Sequence, residues 1–243
     1  MTSGTLYGIG VGPGDPEWIT VKAAGILAAC RCIYAPRSAA AAESVALGIA
    51  RRWLRPDATV HELDFPMTAG ASALDEGWQA AARQVRETLL AGEDCCFLTL
   101  GDPLLYSTYV YLLRQLRALE PPLRIVTVPG ITAASAAAAL TNFPLGQGKE
   151  LVTIVPAADD LGQFRAALQR GGTVVLLKIG RRLQKVLDEL DRLGLTDRAV
   201  LVSHAGMEQQ RIETELGRLR AAPDEMGYLS VLLVHAKPPA EEP

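Results

Sequence analysis

The chain has 243 residues, 49% of them hydrophobic, with a formal net charge of −3. That length suits one large domain or two smaller ones, and that apolar content is ample for buried cores. The acidic balance excludes a global basic field for nucleic acid or an anionic membrane, so an anionic partner must be met by a local patch.

No apolar stretch approaches ~20 uncharged residues, and no membrane span is expected. The amino-terminal Met-Thr-Ser-Gly lacks a basic segment followed by an apolar one, which leaves the cytoplasm as the expected location. The first predicted element is a strand, Leu6–Val11, followed by "GPGDP" and a helix over Glu17–Cys30. Asp15 suits the N-cap of that helix and Pro16 its first position. The loop is not a phosphate cradle. G-x-G-x-x-G fails in both registers, because Pro13 and Asp15 stand where the third glycine is needed, and no Gly-Lys-Ser/Thr follows. Pro13 and Pro16 have no N–H to offer an anion, and Asp15 repels one. Two readings stand at this point: a loop for a phosphate-free ligand, or a tight turn.

A strand at Cys32–Tyr34 then leads to Ala35-Pro36-Arg37-Ser38. It is followed by a helix at Ser44–Trp53, a strand at Thr59–Leu63, a helix at Leu74–Ala91, a strand at Cys95–Leu100, a helix at Tyr106–Leu119 and a strand at Arg124–Val128. The β/α alternation predicts a mostly parallel sheet covered on both faces, with "PPL" at Pro121–Leu123 marking a turn. From Pro129 an alanine-rich helix, Ile131–Leu140, leads into further alternation: Leu151–Val155, Leu161–Gln169, Thr173–Leu177, Arg181–Leu193, Ala199–Val202, Arg211–Thr214 with Glu215–Ala221, and Leu229–Val234. Some of these pieces are short enough to pair antiparallel. The expected organisation is therefore α/β with two domains, residues 1–128 and 129–237, and a flexible tail at 238–243. Cys30-x-Cys32 and Cys95-Cys96 have neither zinc nor redox-dithiol spacing and are expected in the core of a protein from a reducing compartment. No metal site is expected.

Three of the predicted strand-to-helix loops are alike: "GPGDP" after Leu6–Val11, "GDPLLYST" after Cys95–Leu100 and "PGITAAS" after Arg124–Val128. Ligands of open α/β sheets bind beyond the carboxyl ends of strands. Glycine and proline there let backbone carbonyls come close to a ligand, which suits a cation or a neutral hydrogen-bonding molecule. S-adenosylmethionine fits, with its positive sulfonium and no phosphate.

"GxGPGDPxxxT", "LTLGDPLLYST" and "VPGITAASAAAA", in this order and spacing, resemble the S-adenosylmethionine-dependent tetrapyrrole methylase family from about Leu6 to His235. "LDFPMT", Trp78 in "EGWQAAARQV" and "FLTLGDPLLYSTYVYLL" resemble the branch that methylates precorrin-2, or its cobalt counterpart, at carbon 20 during corrinoid synthesis. Other relatives of that family act on uroporphyrinogen III, other corrin positions, diphthamide intermediates or ribosomal RNA. The resemblance implies two α/β domains with S-adenosylmethionine in the cleft between them, and a homodimer. It assigns Pro13, Leu100, Gly101, Asp102, Leu105, Thr132 and Ala133 to the cofactor. Ile179 falls where relatives often carry methionine, and Ala205 where many carry glycine. Asp102 has two readings: acceptor for the methionine amino group, or cap of a helix after Pro103.

Methyl transfer from a sulfonium is an in-line displacement that needs alignment and exclusion of water, so no nucleophilic side chain is required. A base is useful for the proton that leaves the methylated carbon. Tyr106 and His204 are the candidates, with hydrogen-bonded packing as the alternative role for His204 beside Ser203. The implied substrate, a tetrapyrrole with several carboxylates, needs local cations. Arg37, Lys178, Arg181 and Arg182 stand near predicted strand ends, and Asp15 joins Arg37, Lys178 and Arg181 in the expected substrate-binding set.

Overall fold

A computed structural model describes residues 3–38, 43–65, 71–119, 122–157, 160–221 and 224–236. The end of "LDFPMT", Pro121 of "PPL" and the tail 238–243 lie outside the described residues. The chain divides into two compact units, Met1–Thr132 and Ala133–Pro243. Among the described residues no helix is long and apolar enough to cross a membrane.

Unit 1 runs β1 (Thr5–Gly10), α1 (Val21–Ala29), β2 (Cys32–Ser38), α2 (Val45–Ala50), β3 (Thr59–Phe65), α3 (Ala71–Leu90), β4 (Cys95–Thr99), α4 (Tyr109–Arg117) and β5 (Arg124–Val128). Its five strands lie in the order β3-β2-β4-β1-β5, and every pairing is parallel. Every residue of β4 is buried, as a strand covered on both faces requires. Helices α3 and α4 share a core with one face of the sheet through Trp78, Val85, Leu89, Leu112 and Leu116 over Leu6, Cys95 and Phe97. Trp78 also stacks on Tyr111 at 5.6 Å between ring centroids, so this tryptophan serves packing between α3 and α4. All four cysteines are buried and unbridged. The Cys30 thiol, with one proton to donate, lies within reach of two carbonyls, those of Cys32 and Asp94, at the amino ends of the strands.

The order of the strands fixes where a ligand site can form. The β1-to-β2 crossover runs toward one edge of the sheet, and the β4-to-β5 crossover runs toward the other. Parallel crossovers are right-handed as a rule, and two that run in opposite directions then send α1 and α4 from adjacent strands toward opposite faces. The carboxyl ends of β4 and β1 are therefore the topological switch point of unit 1, where open α/β sheets hold ligands.

Unit 2 runs α5 (Ala133–Thr141), β6 (Val152–Pro156), α6 (Gly162–Arg170), β7 (Thr173–Leu177), α7 (Leu183–Leu193), β8 (Ala199–Ser203), β9 (Arg211–Glu213) and β10 (Ser230–His235). The sheet order is β6-β7-β10-β8-β9. Only β6 and β7 are parallel; β10 runs antiparallel to both β7 and β8, and β9 antiparallel to β8. Antiparallel pairing does occur here, although length is not what selects it: the six-residue β10 is antiparallel to both neighbours while the five-residue β6 and β7 are parallel. Helices α6 and α7 cover one face with Phe164, Leu168, Leu183, Val186 and Leu190.

Several boundaries differ from expectation for identifiable reasons. The helix expected over Glu17–Cys30 is two elements: a 3-10 turn, Pro16–Trp18, whose first free N–H is taken by Asp15, and α1, whose N-cap is Thr20. The side chain of Thr20 accepts from the Ala23 N–H at 3.2 Å and restarts the helix. Strand β2 continues through Pro36 to Ser38. Its pairing with β4 ends at Tyr34, so from Ala35 onward it is bonded to β3 alone, a place where proline is tolerated. Helix α4 begins at Tyr109, three residues later than expected.

Candidate functional site

Three loops close over the switch point of unit 1. The Gly12 N–H donates to the Gly101 carbonyl at 3.3 Å, and the Gly101 N–H donates to the Gly12 carbonyl at 2.8 Å. The loops after β1 and β4 are thereby tied backbone to backbone. The loop after β5 packs closely against both. A Cβ added at Gly130 would lie 2.2 Å from the Gly101 oxygen, and one at Gly10 would lie 2.6 Å from the Gly130 nitrogen. Neither position admits a side chain, so "GIGVG", "LGD" and "VPG" read as one junction.

Gly101 differs from its two neighbours. Its φ of +70° is left-handed, yet a Cβ there would find no atom nearer than the Ile131 carbonyl at 3.9 Å. Gly101 is itself buried, so the junction leaves a small unfilled space over its backbone, bordered by half-buried Leu100, Leu105 and Thr132. Pro13 is buried under the junction, and half-buried Ala133 opens α5.

Asp102 ties the second loop to the third. One carboxylate oxygen accepts from the Leu104 N–H at 2.9 Å and the other from the Gly130 N–H at 3.1 Å. The helix-cap reading is corrected, because the helix starts only at Tyr109 and Asp102 instead closes a turn and clamps a neighbouring loop. The start of α4 is served by Ser107, whose Oγ accepts from the Tyr109 N–H at 3.0 Å and pairs with Thr99 Oγ1 at 2.8 Å, both hydroxyls being buried. This pair closes the intervening loop into a short ring and holds Tyr106 in a left-handed conformation, φ +52°, with 43% of its surface exposed.

These groups suit a cationic, phosphate-free ligand. Carbonyls, a carboxylate and an unfilled space over a glycine meet at one place, and Pro13 and Pro16 withhold the N–H groups an anion would need. The residues thus fit S-adenosylmethionine, whose sulfonium and amino groups are both positive.

In unit 2 the expected residues gather at one end of the sheet. Lys178 follows β7, His204 follows β8, and Leu229 precedes β10, which lies between those two strands. All three have positive φ, at 58°, 51° and 48°. Each such residue costs ~1–3 kcal/mol that surrounding structure must offset. Lys178 is exposed and Arg181, in the 3-10 turn Gly180–Arg182, is exposed as well. That turn is fixed from below, since a Cβ at Gly227 would fall 1.7 Å from the Gly180 carbonyl.

Two placements limit the expected roles. The Ile179 side chain is fully buried in the core of unit 2, so only its backbone is left for a ligand. Ala205 is likewise buried. Arg37 lies inside β2 rather than beyond it, with a guanidinium nitrogen 3.8 Å from Glu62 Oε2, so its charge is already partly matched. Asp15 uses Oδ1 to accept from the Glu17 N–H at 2.8 Å, a local turn contact.

His204 sits on Ser203: Nδ1 is 2.7 Å from the Ser203 Oγ, and the ring tilts against Tyr228 at 6.1 Å. Burial, followed by the positive charge of Arg211, lowers the pKa of His204 below its usual value, so the ring is neutral near pH 7. Sequence reasoning named Ser203 only as the neighbour of His204 and missed Gly130, Thr99 and Ser107 as supporting parts. All three stood within quoted motifs, but the partners of the two hydroxyls are set by pairing across a loop. Two cavities lie apart from these residues: one of about 460 Å³ beside Cys30, Arg31 and Asp94 at the amino ends of unit 1 strands, and one of about 470 Å³ beside Phe143, Arg198 and His235 in unit 2. Among the described residues no group of three or more His, Cys, Asp or Glu is placed to hold a metal ion.

Comparison with known proteins bears on this geometry. A family model described as Tetrapyrrole (Corrin/Porphyrin) Methylases matches residues 5–220. The chain is 30% identical over 236 residues to a cobalt-precorrin-2 C(20)-methyltransferase of Salmonella typhimurium, covering 96% of this chain and 97% of that protein. It is 31% identical over 239 residues to a precorrin-2 C(20)-methyltransferase of Sinorhizobium, covering 95% of each. Against the cobalamin biosynthesis protein CobIJ of Mycobacterium bovis it is 35% identical over 217 residues, which span 86% of this chain but only 42% of that longer protein. Among solved structures, a cobalt precorrin-4 methyltransferase superposes with a TM-score of 0.72 at 20% identity, over 96% of both chains. A uroporphyrin-III C-methyltransferase from Thermus thermophilus, solved with S-adenosylhomocysteine, superposes with a TM-score of 0.66 at 21% identity, over 96% of this chain and 92% of that one.

Proposed function

The chain belongs to the tetrapyrrole (corrin/porphyrin) methylase family, and on that premise we propose that it is a C-methyltransferase acting on precorrin-2, or its cobalt complex, at carbon 20 of the macrocycle in cobalamin biosynthesis. Members of the family use S-adenosylmethionine, which supplies an electrophilic methyl group on a sulfonium. The observation that carries the chemistry is the three-loop junction, an unfilled space over a glycine beside a clamped carboxylate. Support for the ring position comes from the two relatives of that name, each matched over nearly its whole length.

In this reading the junction receives the cofactor at Gly101, with Asp102 tying the second and third loops together and Leu100, Leu105 and Thr132 forming the wall. The chain contributes orientation and dryness rather than a nucleophile. The electron-rich bridge carbon of the substrate forms the new C–C bond, and its proton must then be taken up, with His204 and Tyr106 as the proposed acceptors. Lys178 and Arg181 are proposed to meet substrate carboxylates, and Arg37 does so only if it exchanges Glu62 for the substrate. The reading also carries a homodimer, for which sedimentation giving twice the chain mass is the check.

The deciding experiment is anaerobic methyl transfer from S-adenosylmethionine to precorrin-2 and to its cobalt complex, with product mass and the position of the label determined. A single methyl at carbon 20 is expected. Methylation at another ring position, or transfer only to uroporphyrinogen III, would replace this substrate with another of the family.

A further inference from the structure

The reading above leaves open which atom takes the proton, and the contacts of His204 bear on it. Ser203, only 2% exposed, has one hydroxyl proton and two neighbours within reach: the Tyr228 carbonyl at 3.4 Å and His204 Nδ1 at 2.7 Å. The Ser230 hydroxyl near the same carbonyl has a much closer acceptor in Met226. Both hydroxyls lie 3.4 Å from the oxygen of Tyr228, and Ser203 is the one of the two with no closer carbonyl to donate to. If the hydroxyl donates to that carbonyl, its oxygen must receive the ring N–H, and every group has a complementary partner. The opposite arrangement turns the hydroxyl away from the carbonyl of Tyr228.

We propose that Ser203 is a positioning residue that holds His204 in the Nδ1–H tautomer, leaving the Nε2 lone pair as the proton acceptor of the methyl-transfer reaction; this rests on the function proposed above. The backbone reinforces the arrangement. The His204 N–H donates to the Leu229 carbonyl at 3.0 Å, and the Met207 N–H closes a turn onto the His204 carbonyl at 2.9 Å, so the left-handed residue is held at both ends. Among the described residues no hydrogen bond engages Nε2. In the step itself, the bond from the methyl carbon to sulfur breaks with its electrons going to sulfur, the bridge carbon bonds to the methyl carbon, and the C–H electrons of that bridge carbon return to the ring as its proton moves to Nε2. The imidazolium so formed faces the charged Arg211 from β9 and the titratable Tyr228 from the segment before β10. Arg211 favours return of the proton to water and regenerates the base.

The test begins with ¹⁵N NMR of the ligand-free full chain at pH 8, with His204→Gln identifying the resonances of His204. A pyridine-type Nε2 and a pyrrole-type Nδ1 are expected. Ser203→Ala should move Nε2 toward the protonated, pyrrole type and lower kcat about tenfold, the worth of one neutral hydrogen bond, with KM for the tetrapyrrole unchanged. Ser203→Thr should restore both the spectrum and kcat. His204→Gln should cost ~10²–10⁴ in rate, the share of a general base. A protonated Nε2 in the unaltered chain overturns the proposal without any assay. So does a Ser203→Ala chain that loses stability but keeps its tautomer and kcat, since that is a packing role. A chain that shows the expected spectrum but transfers no methyl to any reduced tetrapyrrole brings down the proposed function, and the catalytic role of Ser203 with it, while leaving the hydrogen-bond relay as observed.

Discussion

Asp102 carries two bonds that hold the junction of unit 1 together, and both end on backbone N–H groups. Asparagine can present only one oxygen, so Asp102→Asn must turn an NH₂ toward either Leu104 or Gly130. The charge-assisted bond lost is worth ~1.5–3 kcal/mol when buried and less at this partly exposed place. A fall of a few degrees in Tm and about tenfold weaker S-adenosylmethionine binding by calorimetric titration are expected together. Unchanged affinity beside a lowered Tm would show that the cofactor does not use this junction. The glycines separate geometry from ligand space more sharply. Gly101→Ala meets only the Ile131 carbonyl, at an unstrained 3.9 Å, and costs just the left-handed conformation, ~1–2 kcal/mol, but its methyl group fills the space over the backbone. Gly130→Ala collides with a carbonyl and must shift a loop. Gly101→Ala is therefore expected to lose cofactor binding out of proportion to its loss of Tm, whereas Gly130→Ala loses both. Equal behaviour of the two in thermal melts and titration would place the cofactor elsewhere.

At the scale of elements, α6 and α7 are joined by Glu189, one of the few charged residues buried in the described structure. Burial alone would push its carboxyl up, but hydrogen bonds from Arg192 and Arg165 hold it below its usual range. Glu189→Ala removes both contacts and leaves two guanidinium groups that can still reach water. The expected cost is about 1–2 kcal/mol, less than for a fully buried pair, and a urea melt would show it as a lower midpoint at unchanged slope. What the sequence disclosed at this scale follows from range of interaction. Strands β1, β4 and β7 are largely apolar runs with glycine at or near their ends, so they were legible, and so were the three glycine- and proline-bearing loops that follow β1, β4 and β5. Helix starts were less so. Whether Glu17 or Val21 begins α1 depends on Thr20 winning the Ala23 N–H, and whether Tyr106 or Tyr109 begins α4 depends on a bond between Thr99 and Ser107 across a loop. Arg37 looked like a free grip because its partner, Glu62, belongs to another strand. Ile179 and Asp102 were found by motif, but the direction each side chain takes is set by packing that no local pattern contains.

For the molecule as a whole, acidification is the condition that separates its two units. The chain has three histidines, and two of them, His204 and His235, lie in unit 2 with pKa values lowered from the usual 6.5. Burial is the main cause for both; Arg211 adds to it at His204, and Glu150 opposes it at His235. His235 also stacks on Phe143 at 3.9 Å and shares a hydrogen bond with Thr173 through Nδ1 at 3.1 Å, so the neutral ring is built into the sheet. A lowered folded value means that the unfolded chain binds these protons first. The stabilising contribution is then fully present above pH 6.5 and is lost as the pH falls through the lowered folded values, at no more than ~1.4 kcal/mol per pH unit for each histidine. The lowered carboxyls, Asp57, Asp191 and Glu189, titrate below this window and do not confuse it. Hydrogen exchange read by mass spectrometry at pH 7.5 and 5.5, corrected for the intrinsic pH dependence of exchange, should therefore show peptides from β8 and β10 losing protection while those from β1 and β4 change little. His235→Gln keeps a hydrogen-bonding side chain for Thr173 without a titrating ring and should remove part of that loss. If β1 and β4 lose protection as much as β8 and β10, or if His235→Gln leaves the acid sensitivity whole, the buried histidines of unit 2 are not its source.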